Sequence, residues 1–89
     1  MSEVRHFHFK YPDPGALDAL LRECAAPWEV TGTGRAIRIM SRGETPFRVE
    51  MILQPWGIAA HLSGQFVGFV DPLVNQLVER YGEVKVEER

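Results

Sequence analysis

The stretch Phe47-Arg48-Val49-Glu50-Met51-Ile52-Leu53-Gln54-Pro55-Trp56-Gly57-Ile58-Ala59-Ala60-His61-Leu62 decides the architecture. Phe47, Val49, Met51 and Leu53 alternate with Arg48, Glu50, Ile52 and Gln54, the period of two of a strand with one buried face. Pro55-Trp56-Gly57 is a tight connection. Ile58, Ala60 and Leu62 then alternate with Ala59 and His61. Strands joined so closely pair antiparallel, because a parallel pair needs a long crossover.

The same alternation extends upstream. Ile37 and Ile39 alternate with Arg38 and Met40, and Arg42-Gly43-Glu44-Thr45-Pro46 reads as the hairpin loop that follows. Trp28 and Val30 begin an earlier strand, with Gly32 and Gly34 of Thr31-Gly32-Thr33-Gly34 marking a turn or bulge. The middle third is therefore an antiparallel meander. At the start of the chain, Arg5, Phe7, Phe9 and Tyr11 point one way and Val4, His6, His8 and Lys10 the other. The aromatic side is the expected core face.

Two helices flank the meander. Asp13 is an N-cap residue and Pro14 suits the first helical position, where a missing N–H costs nothing. Leu17, Leu20, Leu21 and Cys24 form the apolar stripe, and Pro27 limits the helix. Asp71-Pro72 repeats the opening phrase, and Val74, Leu77, Val78 and Tyr81 repeat the stripe at the same spacing. Gly82 is the expected C-cap. Phe66-Val67-Gly68-Phe69-Val70 reads either as more sheet or as a packed loop. Val84 and Val86 give a last strand, with Glu87-Glu88-Arg89 expected to fray.

The order is β-α-β-β-β-β-α-β over one domain, residues 1–89. It predicts an α+β two-layer sandwich, with two helices on one face of a mainly antiparallel sheet. The pattern resembles a ferredoxin-like sandwich with extra strands in the middle, and the repeated phrase suggests two β-α-β halves. The expected core is Phe7, Phe9, Leu17, Leu20, Leu21, Val30, Ile37, Ile39, Phe47, Val49, Met51, Leu53, Leu77 and Val78.

Composition narrows the function classes. A net charge of -2 is not the footprint of a general nucleic-acid binder, so none is expected as a partner. A single cysteine, Cys24, forms no intramolecular disulfide and provides no cysteine-based zinc site. It is expected buried and inert. Residues 1–10 carry no apolar signal core and no stretch is long enough to span a bilayer, so cytoplasmic residence without membrane association is the default expectation. Arg outnumbers Lys by 8 to 2, which points to a GC-rich, bacterial genome.

The parity of the strands places His6, His8, Lys10, Arg38, Met40, Arg48, Glu50, Ile52 and His61 on the sheet face away from the helices. This is the one functional constellation available. His6, His8, Arg38, Arg48, Glu50, His61 and the turn residue Trp56 are its ligand or interface candidates. Guanidinium and imidazole groups pair with anions. The apolar Val4, Met40 and Ile52 beside them favour cover by a partner over plain solvation. His6-x-His8 has chelating spacing, and His61 is a third imidazole. No carboxylate accompanies the pair in sequence, so metal is not expected and His6 and His8 are weak metal candidates at most.

Other motifs carry less. Gly32-Thr33-Gly34 resembles a phosphate loop only superficially, since a strand rather than a helix follows it. Phe66 to Val70 echoes an RNA-recognition strand but puts its aromatics three apart, off a common face. No nucleophile elbow, catalytic residue set or cofactor motif is evident. The leading expectation is a small non-enzymatic protein acting through protein contact, as a homodimer or with another protein partner. Alternatives are a binding module for a small anion on the open sheet face and an accessory subunit of an enzyme.

Overall fold

The computed structural model describes residues 2–32 and 35–89. The chain runs β1 (Ser2–His8), α1 (Pro14–Cys24), β2 (Glu29–Thr31), β3 (Ala36–Ser41), β4 (Phe47–Gln54), β5 (Gly57–Gly64), α2 (Val67–Tyr81) and β6 (Lys85–Glu88). The strands form one sheet in the order β2-β3-β4-β5-β1-β6. Every neighbouring pair is antiparallel. The α+β class and the order of elements agree with the sequence reading. The six-strand order leaves the ferredoxin-like comparison at the level of layers. The two β-α-β units are not equivalent: β5 and β6 bracket one strand, β1, whereas β1 and β2 have three strands between them.

Both helices cover the same face. Leu17, Leu20 and Leu21 of α1 and Phe69, Val70, Leu73 and Leu77 of α2 share one buried cluster with Phe7, Ile37, Ile39, Val49, Met51 and Leu62. The α1 start follows its sequence signal, with the Asp13 carboxylate accepting from the Gly15 amide at 2.9 Å.

The second helix departs from expectation. It begins at Val67, so Asp71 is not its cap and Pro72 lies inside it. Phe66 precedes the first turn, and its carbonyl accepts from the amides of Phe69 and Val70. Hydrophobic burial explains the earlier start. Phe66, Phe69, Val70, Leu73 and Leu77 form a continuous buried stripe. Two phenylalanines at about 1.5–3 kcal/mol each outweigh an interior proline at roughly 3 kcal/mol. The stripe is rotated relative to the one expected, so Val78 is 45% exposed and not core. Val30 and Cys24 pack against the cluster but are only partly buried. Gly82 caps the helix as expected, donating to the Val78 carbonyl at 2.8 Å.

The tail is the other correction. Glu87 and Glu88 do not fray: they pair with His6 and Arg5 of β1, and the Arg89 amide donates to the Val4 carbonyl. The open edge of β1 offers unpaired backbone groups, and Arg5 approaches Glu88 at 3.7 Å. Strand pairing overrides the charge-rich composition of the segment.

Candidate functional site: the open sheet face

Strand register turns the helix-free face into rows of neighbours. One row runs Glu87-His6-Ala59-Ile52-Ala36 across β6, β1, β5, β4 and β3. The next runs Val4-His61-Glu50-Arg38-Thr31, and a third runs Ser2-Ser63-Arg48-Met40-Glu29. At the opposite end stand Lys85, His8, Gly57 and Gln54. All the sequence candidates on strands therefore lie on this face, as parity required. They do not converge on one point.

The rows differ in chemistry. Ala59, Ile52 and Ala36 make an apolar strip across the middle of the face, partly shielded even in the isolated chain. The Arg38 guanidinium donates to Glu50 at 2.7 Å, so its charge is committed within the face. Arg48 is exposed and has no ion pair among the described residues. It shares a depression of about 360 Å³ with His61, Ser63, Glu50 and Arg89.

The other end of the face holds a tighter cluster. Trp56, in the turn between β4 and β5, lies with its ring centroid 4.8 Å from those of both His6 and His8. Gly57 makes this turn possible. Its φ is +144°, and a Cβ there would stand 1.9 Å from the Phe7 carbonyl oxygen on β1. The Trp56 carbonyl in turn accepts from the Phe9 amide at 3.1 Å, tying the turn to the end of β1. Lys10, beyond the end of β1, lines a depression with His8, Trp56 and Lys85.

Glu87 completes the cluster, and sequence reasoning missed it. Its Oε1 lies 3.8 Å from His6 Nδ1, 3.7 Å from His8 Nε2 and 2.8 Å from Arg89 Nη2. The Arg89 charge holds the Glu87 carboxyl below the usual range, against some opposing desolvation and with help from His8. The reading that no carboxylate accompanies the histidine pair is thus overturned: β6 supplies one from 79 residues further along the chain (87 minus 8). The signal available was the alternation of Val84 and Val86 with Lys85 and Glu87, which puts Glu87 on the polar side. The pairing of β6 with β1 had no local signal. His61, expected as a third imidazole, is not part of the cluster.

Away from this face, burial pushes the Cys24 thiol up, with Glu23 adding to the effect and Arg80 opposing it. The phosphate-loop candidate includes Thr33 and Gly34, which lie outside the described residues; the element after them is β3, a strand. No helix is long and apolar enough to cross a membrane among the described residues. No protein-family model, curated protein or solved structure matches the chain.

Proposed function

We propose that this protein works through protein contact, with the open sheet face as its contact surface and a second copy of the chain as its partner. The observation that carries the reading is the apolar strip Ala36-Ile52-Ala59, with charges of both signs in the two rows to one side of it, Arg38 and Arg48 against Glu29 and Glu50. A face carrying both signs is suited to a two-fold contact, where each patch meets its own copy. Sheets pack face to face at about 10 Å, close enough to bury Ile52 and to bring the unpaired Arg48 near a partner carboxylate.

Size sets the strength. Five strand spacings of about 4.8 Å by roughly 20 Å of strand give a projected face near 480 Å². Its accessible surface exceeds this projection and lies at the lower end of a standard interface of roughly 800 Å² per partner, so a concentration-dependent dimer is expected. Size-exclusion chromatography with light scattering tests it. The expected mass at high micromolar protein is near twice 10.1 kDa, and Ile52→Lys returns it to a monomer. A monomer at every concentration refutes the reading.

A second reading, a small-anion site, is supported by the depression that Arg48, His61, Ser63 and Arg89 share, with the carboxylates of Glu3 and Glu50 in its lining opposing it. It narrows the anion set to Arg48 and His61, because Arg38 is bound to Glu50 and His6 and His8 stand with Glu87. Inorganic phosphate or citrate should then shift the amide resonances of residues 48 and 61 in NMR spectra. Unchanged spectra at millimolar anion remove this second reading.

A further inference from the structure

We infer that His6, His8 and Glu87 form a binding site for a divalent transition metal of the zinc, nickel or copper class. The inference is independent of the dimer reading, since it rests on a side-chain cluster at one end of the face. One ligand atom from each of the three residues can be chosen so that all lie within 4.8 Å of one another. Two imidazoles and a carboxylate are the donor set those metals take, whereas magnesium and calcium favour all-oxygen sites.

The distances leave a small, achievable adjustment. Zinc bonds nitrogen and oxygen at about 2.0–2.2 Å, so tetrahedral neighbours sit roughly 3.3 Å apart. Glu87 Oε1 is already 3.7 and 3.8 Å from the two imidazole nitrogens, gaps that close by tenths of an ångström, while ligand atoms as far apart as 4.8 Å must approach by about 1.5 Å through rotation of the imidazole side chains. The backbone need not move: His6 and Glu87 are direct cross-strand partners, and His8 is the next residue on the same face of β1. The Trp56 indole beside both rings, tilted 40° and 30° to them, limits their rotation. Three protein ligands leave further positions for water, and a depression opens beside one of them, His8.

One group opposes the metal. The Arg89 guanidinium lies 2.8 Å from Glu87 Oε1, and a metal ion must either displace it or engage the other carboxylate oxygen. Lys85 and Lys10 add positive charge nearby. This competition gives the inference a sign that adventitious binding to two exposed histidines lacks: removing Arg89 should tighten the metal.

The test is calorimetric titration of the full chain with zinc chloride, with tryptophan fluorescence followed in parallel. One equivalent should bind and change Trp56 emission, because the indole lies 4.8 Å from both imidazoles. Glu87→Gln should weaken binding at least as much as the roughly tenfold that loss of an outer-shell partner costs. Arg89→Ala should tighten it. His8→Asn should abolish it, with circular dichroism reporting whether that variant folds; Glu87→Gln and Arg89→Ala, on an exposed edge, decide the matter if it does not. Absence of heat with the wild-type chain overturns the inference. So does zinc affinity unchanged by Glu87→Gln, or heat without a tryptophan response, since either places the ion elsewhere, at His61 for example.

Discussion

Replacing Gly57 by alanine should be among the most damaging single-methyl changes in this protein. The added Cβ would meet the Phe7 carbonyl oxygen at 1.9 Å and the Phe7 carbonyl carbon at 3.0 Å. Both are backbone atoms of the neighbouring strand, so no side-chain rotation relieves the contact. The residue's φ of +144° adds a second cost. Holding an L-residue in so sparsely populated a region costs on the order of 1–3 kcal/mol. Overpacking against a rigid neighbour costs about the same again. Moving β1 away to relieve the clash breaks the pairing of His8 with Gly57, at roughly 1 kcal/mol per hydrogen bond lost. The sum is about 3–7 kcal/mol, against a total stability of roughly 4–13 kcal/mol for a chain of this length. With a urea slope of about 1 kcal/mol per molar for so small a protein, the unfolding midpoint should fall by roughly 3 M or more. Gly43 is the control: nothing lies within 4 Å of a Cβ built there, so Gly43→Ala should change the midpoint little. Urea titration followed by tryptophan fluorescence reads both variants. A Gly57→Ala protein within about 1 kcal/mol of wild type would refute the reasoning, since both the clash and the strain terms would then have to be relaxed at almost no cost.

Three further outcomes follow from the packing and the charges. Val49→Ala, at a fully buried position, should cost about 2 kcal/mol or more, while Val78→Ala, 45% exposed, should cost less than about 0.5 kcal/mol; equal losses in chemical denaturation would show that the α2 faces are wrongly assigned. Cys24 should react with a disulfide reagent more slowly in the folded chain than in urea at the same mildly alkaline pH, because burial keeps its thiol protonated. The linkage has a definite sign: above the unfolded thiol's ordinary range the unfolded state releases the proton first, so this group lowers stability as pH rises, and a Cys24→Ala variant should lose that alkaline slope. The Glu87 carboxyl, followed by NMR, should titrate below the ordinary glutamate range and move up in Arg89→Ala. Its folded-state value is depressed, so its contribution is present above the unfolded glutamate range and is lost as pH falls through the folded one.

Particular residues show which parts of this fold are legible in the sequence. Asp13 and Pro14 start α1 where local capping chemistry put them, because the groups involved are two residues apart. At Asp71-Pro72 the same signal misled. A cap is worth about 1 kcal/mol, and burying Phe66 and Phe69 is worth more. Arg48, Glu50, Ile52 and His61 were assigned to one face correctly, since side chains alternate across a strand whatever lies beside it.

Alternation along the chain determined the elements, the two faces of the sheet and the membership of the open face. Each depends on covalent geometry with a period of two or 3.6 residues. Strand order, the end of β6 and the meeting of Glu87 with His6 and His8 were decided only by tertiary structure. Those depend on which edge of the sheet a distant segment pairs with. Backbone hydrogen bonding is nearly indifferent to residue type, so that choice is made by competition among whole strands and leaves little trace in local sequence.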